Sequence, residues 1–221
     1  MKPIQLRCRA VLFDMDGTIV DTDEASLIVW REWAKTRDVS LEAILRVQHG
    51  RRAEDTIALV APHLSAHLEA RGIYRAHEVV RTGVRLLKGI DGLFNVLPLE
   101  AVAIVSSGTI ALVRNRLRLV GLREDLLIVG TETVKVGAPH PEGLLLAARR
   151  LNVAPADCLV FQDTPTGIAA AKRAGMEVVA IVSTHEASEL TQADAMVPDY
   201  RQVQVQTEPD GSLLFTVQAA A

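Results

Sequence analysis

Asp14 and Asp16 stand two residues apart in Val11-Leu-Phe-Asp14-Met-Asp16-Gly17-Thr18, directly after an apolar run. Two carboxylates so placed can divide a phosphoryl transfer between them. One attacks phosphorus and carries the group as an aspartyl phosphate, while the other protonates the leaving oxygen and then activates water. Gly17 lets the chain turn sharply, and Thr18 can fix that turn through hydrogen bonds. The competing reading is a plain Asp-Gly turn after a strand. At ~5% usage per residue type, D-x-D-G-T arises by chance in about one chain of this length in several hundred. Its place at the end of an apolar strand lowers that frequency further and favours chemistry.

The elements that must hold these residues are legible as runs. Ala10–Phe13, Ala101–Val105, Leu126–Val129, Cys158–Phe161 and Val178–Val182 are short and almost continuously apolar. That pattern suits parallel strands covered by helices on both faces. Helical stretches separate them at Ile110–Val120, Glu142–Leu151 and Thr166–Ala174, the last closed by Gly175. The alternation predicts an α/β fold, a Rossmann-like doubly wound parallel sheet whose ligands bind at the carboxyl ends of the strands. Between Asp21 and Val84 the alternation stops and only amphipathic helices are expected. Leu27, Trp30, Trp33 and Ala34 share a face, Ser40 caps a second helix, and Ala53–Val60, Ala66–Arg71 and Ala76–Leu87 follow. An all-helical insert directly after the first strand reads as a small cap, so residues 21–84 are expected to form a cap domain and residues 1–20 and 85–221 the core. The two tryptophans are read as core of that cap. At the far end, Val203–Gln206 and Leu213–Val217 flank an Asp210-Gly211 turn and predict a C-terminal β-hairpin.

With D-x-D-G-T after its first strand, the chain resembles the haloacid dehalogenase superfamily over nearly its whole length. The resemblance implies Asp14 as nucleophile and Asp16 as general acid and base. It also implies a Mg²⁺ ion between the Asp14 carboxylate, the Asp16 backbone carbonyl and an acidic residue of a later loop. Such an ion is hard, prefers oxygen, and offsets repulsion between nucleophile and phosphate. The family's second motif matches Val102-Ala-Ile-Val-Ser106-Ser107-Gly108-Thr109, where Ser106 offers a hydroxyl and Ser107 an amide to phosphate. Serines at such a position often only cap a helix. Thr18 joins them as an expected phosphate contact. The fourth motif resembles Leu159-Val-Phe-Gln162-Asp163-Thr164-Pro165, which makes Asp163 the remaining metal ligand. Gln162 stands where the family carries glutamate; an amide keeps an oxygen donor but drops a charge.

The third motif departs from the family. Relatives read G-K-P-x-P, but here the run is Lys135-Val-Gly137-Ala138-Pro139-His140-Pro141, with Ala138 in place of the lysine. Lys135 is the expected substitute, set against its reading as a solvated loop lysine. Asp16 and Thr18 speak for phosphatases within the superfamily. The stretches His49-Gly50-Arg51-Arg52 and Pro139-His140-Pro141-Glu142 resemble its bacterial sugar and polyol phosphatases. Arg51 and Arg52 then face a sugar hydroxyl or a second anion, or are simply surface arginines; His49 reads more readily as a helix-end residue. Two alternatives stay open: a sugar-phosphate mutase or phosphotransferase, and a phosphate-binding protein impaired by Ala138 and Gln162.

Bulk properties narrow the partners. A net charge of −3 over 221 residues leaves no basic face for nucleic acid. No run approaches the ~20 apolar residues of a membrane span, and the N-terminus lacks an apolar leader. Cys8 and Cys158 read as buried thiols of a reducing compartment. The expectation is a cytoplasmic enzyme, monomeric or weakly dimeric, acting on a small phosphorylated metabolite.

Overall fold

The computed structural model describes residues 2–218. In chain order the strands are β1 (Ile4–Cys8), β2 (Ala10–Phe13), β3 (Val20–Asp21), β4 (Arg85–Leu86), β5 (Val102–Val105), β6 (Leu127–Val129), β7 (Cys158–Gln162), β8 (Glu177–Ile181), β9 (Ala195–Val197), β10 (Val203–Thr207) and β11 (Leu213–Val217). The α-helices are α1 (Asp23–Arg37), α2 (Leu41–Leu45), α3 (Ala53–Val60), α4 (Ala66–Val79), α5 (Ile90–Val96), α6 (Ile110–Leu119), α7 (Glu142–Leu151) and α8 (Pro165–Arg173). Six strands form one parallel sheet in the order β6-β5-β2-β7-β8-β9. This is the Rossmann-like sheet that the apolar runs predicted, with β9 as a sixth strand at its edge.

Period-two alternation divides the sheet's side chains between two cores. Val11, Phe13, Ile104, Leu159, Phe161 and Val179 face one side, where α5 and α6 bring Phe94, Val113 and Leu117. Ala10, Leu12, Ala103, Val160, Val178 and Ala180 face the other, under Leu144 and Ala148 of α7 and Ile168 and Ala171 of α8. Burial on both faces explains why these strands read as unbroken apolar runs. Both cysteines belong to these cores, and burial pushes Cys8 up to about 12 and Cys158 up to about 11, so both remain thiols.

The C-terminal hairpin forms at β10 and β11, and β1 joins it as a third antiparallel strand. Phe215 of that sheet lies 5.6 Å from the Phe161 ring, which stacks on Phe13 at 5.0 Å and 9°. One aromatic column thus ties the hairpin to the sheet.

Helices α1 to α4 gather Trp30, Trp33, Ile44, Ile57 and Ile73 into a third, separate apolar cluster, with the two tryptophans edge to face. Ser40 caps α2 by accepting the Ala43 amide at 3.2 Å. The expected break near residue 71 and a helix from Ala76 to Leu87 do not occur. No breaker other than Gly72 interrupts the segment, and a Cβ at Gly72 would meet nothing, so α4 runs unbroken from Ala66 to Val79. It stops where Val80 turns extended. The chain then passes Gly83, with φ of 76°, packed against Glu24 and Ala25, and returns to pair β4 antiparallel with β3. No helix of the described residues is long and apolar enough to cross a membrane.

Phe161→Ala should destabilise the fold by ~3–5 kcal/mol, the usual cost of deleting a fully buried aromatic ring. Urea unfolding, with midpoint and slope fitted together, measures it.

Candidate active site

The carboxyl ends of β2, β5, β7 and β8 converge. The Asp14 amide donates to the Phe161 carbonyl at 3.1 Å, extending the β2–β7 pairing one step beyond the ladder. Level with Asp14 on β7 is therefore Gln162, so Asp14 and Asp163 leave neighbouring strands one residue out of step. Both are buried. Asp14 accepts the Met15 amide at 2.7 Å. Burial first, then the charges of Asp163 and Asp16, hold its carboxyl well above the usual range. Asp163 takes the Thr18 hydroxyl on Oδ1 at 2.9 Å and the Thr184 hydroxyl on Oδ2. Burial pushes Asp163 up to about 6 against the pull of those two hydrogen bonds. Gly17, with φ of 75°, lies directly against it: a Cβ there would sit 2.1 Å from Asp163 Oδ2.

Asp16 points into the same cavity but is held differently. Its Oδ1 accepts the Thr22 hydroxyl at 2.6 Å and pairs with the buried guanidinium of Arg116. Ser106 closes the other side. Its amide donates to Val129 at 3.0 Å and its Oγ accepts the Gly108 amide at 3.0 Å, which leaves the hydroxyl proton free. Two connected hollows meet at Asp14 and Ser107. One runs toward Trp30, Gln48, His49, Arg51, Tyr74, His77 and Arg116; the other runs past Ser106 and Gln162 to Arg52 and Ala138.

Several expected contacts fall elsewhere. Thr18 is fully buried and spends its hydroxyl on Asp163, so it braces the site from below instead of reaching phosphate. Lys135 is exposed and lines neither hollow; its loop is pinned by Glu142, which accepts the Lys135 and Val136 amides. The residue turned inward there is Ala138, among Val105, Val134 and Leu144. Arg52 lines the second hollow, yet its guanidinium is engaged: Asp55 accepts from Nε at 2.7 Å and from Nη2 at 2.8 Å, and the Lys135 carbonyl accepts from Nη1 at 3.0 Å. Arg51 lines the first hollow while donating to the Val47 carbonyl at 2.6 Å. Gln162 does not offer its oxygen to the cavity. That oxygen accepts the Asp163 and Thr164 amides at 2.7 and 3.2 Å, and the side-chain amide hydrogen-bonds Asp14.

His49, read as a helix-end residue, lines the first hollow with its ring 3.5 Å from Asp23. Burial alone would lower its pKa, but Asp23, Asp163 and Asp16 together raise it. Sequence reasoning missed Tyr74, His77, Arg116 and Thr184. Tyr74 joins the helices to the sheet edge: its hydroxyl donates to Glu54 at 2.7 Å, accepts the Ala53 amide, and lies 3.3 Å from the Ser107 carbonyl. Thr184 follows β8, at the same carboxyl edge of the sheet that carries Asp163. Arg116 had a signal as well, because it alone of the three arginines in α6 is four residues from Leu112 on the buried stripe.

Among the described residues no group of three or more His, Cys, Asp or Glu side chains converges to hold a metal. The expected Mg²⁺ set asks less, two carboxylates and one backbone carbonyl. Asp14 and Asp163 suit it, because both carboxyls are buried and held above the usual range, Asp14 partly by the charge of Asp163, and a shared cation would relieve both.

Residues 8–175 match the family described as haloacid dehalogenase-like hydrolase. The chain is 31% identical over 215 residues to hexitol phosphatase A of Escherichia coli K12, covering 95% of this chain and all of that one. It is 30% identical over 219 residues to glycerol-1-phosphate phosphohydrolase 2 of Saccharomyces cerevisiae, covering 92% and 87%. In three dimensions it resembles the crystal structure of a hydrolase from Pseudomonas syringae, with TM-score 0.75 and 23% identity over 85% of this chain and 92% of that one.

Gly17→Ala should cost at least ~1–2 kcal/mol from the left-handed backbone alone. The added contact with Asp163 should deepen the loss, which thermal unfolding reads directly.

Proposed function

The chain belongs to the haloacid dehalogenase-like hydrolases, and we propose that it hydrolyses the phosphomonoester of a small sugar or polyol through an aspartyl phosphate on Asp14. The observation that carries this reading is the pairing of buried Asp14 and Asp163 beside Ser106, with Asp16 in the same cavity. The Ser106 hydroxyl and the Ser107 amide are the proposed holders of the phosphate oxygens. Asp14 attacks phosphorus in line with the leaving oxygen. Asp16 gives that oxygen a proton and then takes one from the water that frees Asp14. Asp14, the Asp16 carbonyl and Asp163 would hold Mg²⁺, whose charge offsets the repulsion between carboxylate and phosphate.

Residues 21–84 serve in this reading as a cap over the core formed by residues 1–20 and 85–221. The hollow beneath α1 to α4 is the space left for the alcohol part of the substrate. Its walls carry Gln48, His49, Arg51, Tyr74 and His77, a set of hydrogen-bonding groups around apolar Trp30 and Ile73. Hydroxyl-rich substrates fit such a lining, since buried polar groups reject a ligand that leaves them unpaired. The names of the two curated relatives, a hexitol phosphatase and a glycerol phosphate hydrolase, support the same class.

The test is phosphate release from a panel of hexitol, glycerol and sugar phosphates. Asp14→Asn should abolish release with the fold intact, EDTA should stop the parent protein, and added Mg²⁺ should restore it. Turnover by Asp14→Asn at the parent rate, or full turnover in excess chelator, would overturn the corresponding assignment. Lys135→Ala should leave release near the parent rate, because that side chain lies outside both hollows. A large fall in kcat would return Lys135 to the phosphate site.

A further inference from the structure

Arg116 is 4% exposed, yet the mechanism above gives it no task. Its helix places it between Leu112, Val113 and Leu117, a stripe where an aliphatic residue would suit the core. Among the described residues its one ionic partner is Asp16. On the other side of the guanidinium stands His77, with Nδ1 at 3.5 Å from Nη2. Burial and the charge of Arg116 push His77 down to about 4, so the imidazole is neutral and supplies no counter-charge. The Nε and Nη1 of Arg116 make no hydrogen bond among the described residues, so Nη1 meets Asp16 as an ion pair. A buried cation with a single carboxylate to pair with fixes that carboxylate in turn, since rotating Asp16 away would strand the charge.

The contacts on Asp16 are one-sided. The Thr22 hydroxyl and the Arg116 guanidinium both meet Oδ1, and Oδ2 takes no hydrogen bond among the described residues. We propose that Arg116 is a positioning residue for Asp16, clamping Oδ1 with Thr22 so that Oδ2 faces the leaving oxygen. The inference rests on the acid and base role proposed for Asp16. In the first step Asp16 enters as the neutral carboxyl, its proton on Oδ2 while Oδ1 faces Thr22 and Arg116. That proton moves to the ester oxygen as the P–O bond breaks and the Asp14–P bond forms, leaving the carboxylate paired with Arg116. In the second, Oδ2 takes a proton from the water that attacks phosphorus and releases Asp14. Without the clamp the carboxyl can turn among rotamers, and proton delivery loses its preset geometry.

Leaving groups separate this from a role in folding. Nitrophenolate departs without a proton, whereas an alkyl alcohol needs one. The ratio kcat/KM reports only steps through the first irreversible release, so later dephosphorylation does not blur it. The probes are glycerol 1-phosphate and sorbitol 6-phosphate against p-nitrophenyl phosphate, for the parent protein, Arg116→Met, Arg116→Lys and Asp16→Asn. Arg116→Met should lower kcat/KM for the alkyl esters by at least ~10-fold while p-nitrophenyl phosphate falls by less than about 3-fold, and Arg116→Lys should recover most of the loss. Parallel falls on all three esters, or equal damage in Arg116→Lys and Arg116→Met, would overturn the assignment. If Asp16→Asn discriminates between the esters and Arg116→Met does not, Arg116 alone is refuted. If Asp16→Asn fails to discriminate, or the parent protein hydrolyses neither alkyl ester, the underlying reading falls and this inference with it.

Discussion

Two carboxylates buried next to each other are what the rest of the molecule has to accommodate. Parallel pairing of β2 with β7, in which Phe13 lies opposite Phe161, brings Asp14 and Asp163 out of the ends of adjacent strands one residue out of step, and burial makes their repulsion expensive. The surroundings answer with donors. Thr18 and Thr184 bond Asp163 from below and from the side, while the Met15 amide and the Gln162 side chain bond Asp14. The Gly17 backbone lies so close to Asp163 that no side chain fits at that position.

The sheet supplies the rigidity that such crowding requires. Each of the four strands that deliver site residues is buried on both faces, between two apolar cores that use alternate positions of the same strands. The aromatic column of Phe13, Phe161 and Phe215 extends that support into the C-terminal hairpin. The hairpin sits far from the chemistry in sequence, yet it braces the strands that end in Asp14 and Asp163. The helices opposite contribute softer material, with Tyr74, Arg52 and Glu54 bonding across to the loops after β5 and β6.

The central strands were legible because burial on both faces leaves one kind of signal, an unbroken apolar run ended by a carboxylate or a hydroxyl. That signal singled out Asp14, whereas Ser106 and Asp163 were expected from the resemblance to the family's second and fourth motifs. Strand β9 was missed because three residues between Asp194 and Pro198 carry too little pattern, and β1 because its alternation is that of a half-exposed strand. The length of α4 was missed because the segment reads as two helices, Ala66–Arg71 and Ala76–Leu87, whereas open space around Gly72 tolerates a glycine inside one helix. Lys135 shows the limit of reasoning by spacing. Sequence distance placed its stem within reach of the site, but Glu142 orients the loop so that Ala138 turns inward. Arg116 shows the reverse, a charge on an apolar stripe whose meaning emerges only when Asp16 is found beside it.

The excursion from Asp21 to Arg85 leaves and rejoins the sheet at one place. Val20 pairs with Leu86 and Asp21 with Arg85, in a two-rung antiparallel ribbon. Seen from the sheet, everything between those rungs is topologically a bead hung on a closed ring. Closing that ring early shortens the effective path between β2 and β5, which must pair although some ninety residues separate them. The entropic toll of that pairing then depends weakly on how long the bead is. Residues can be gained, lost or exchanged within it while the register of Asp14 against Asp163 is inherited unchanged. A lineage can therefore rewrite the lining of the enclosed hollow without renegotiating the geometry of the buried carboxylates.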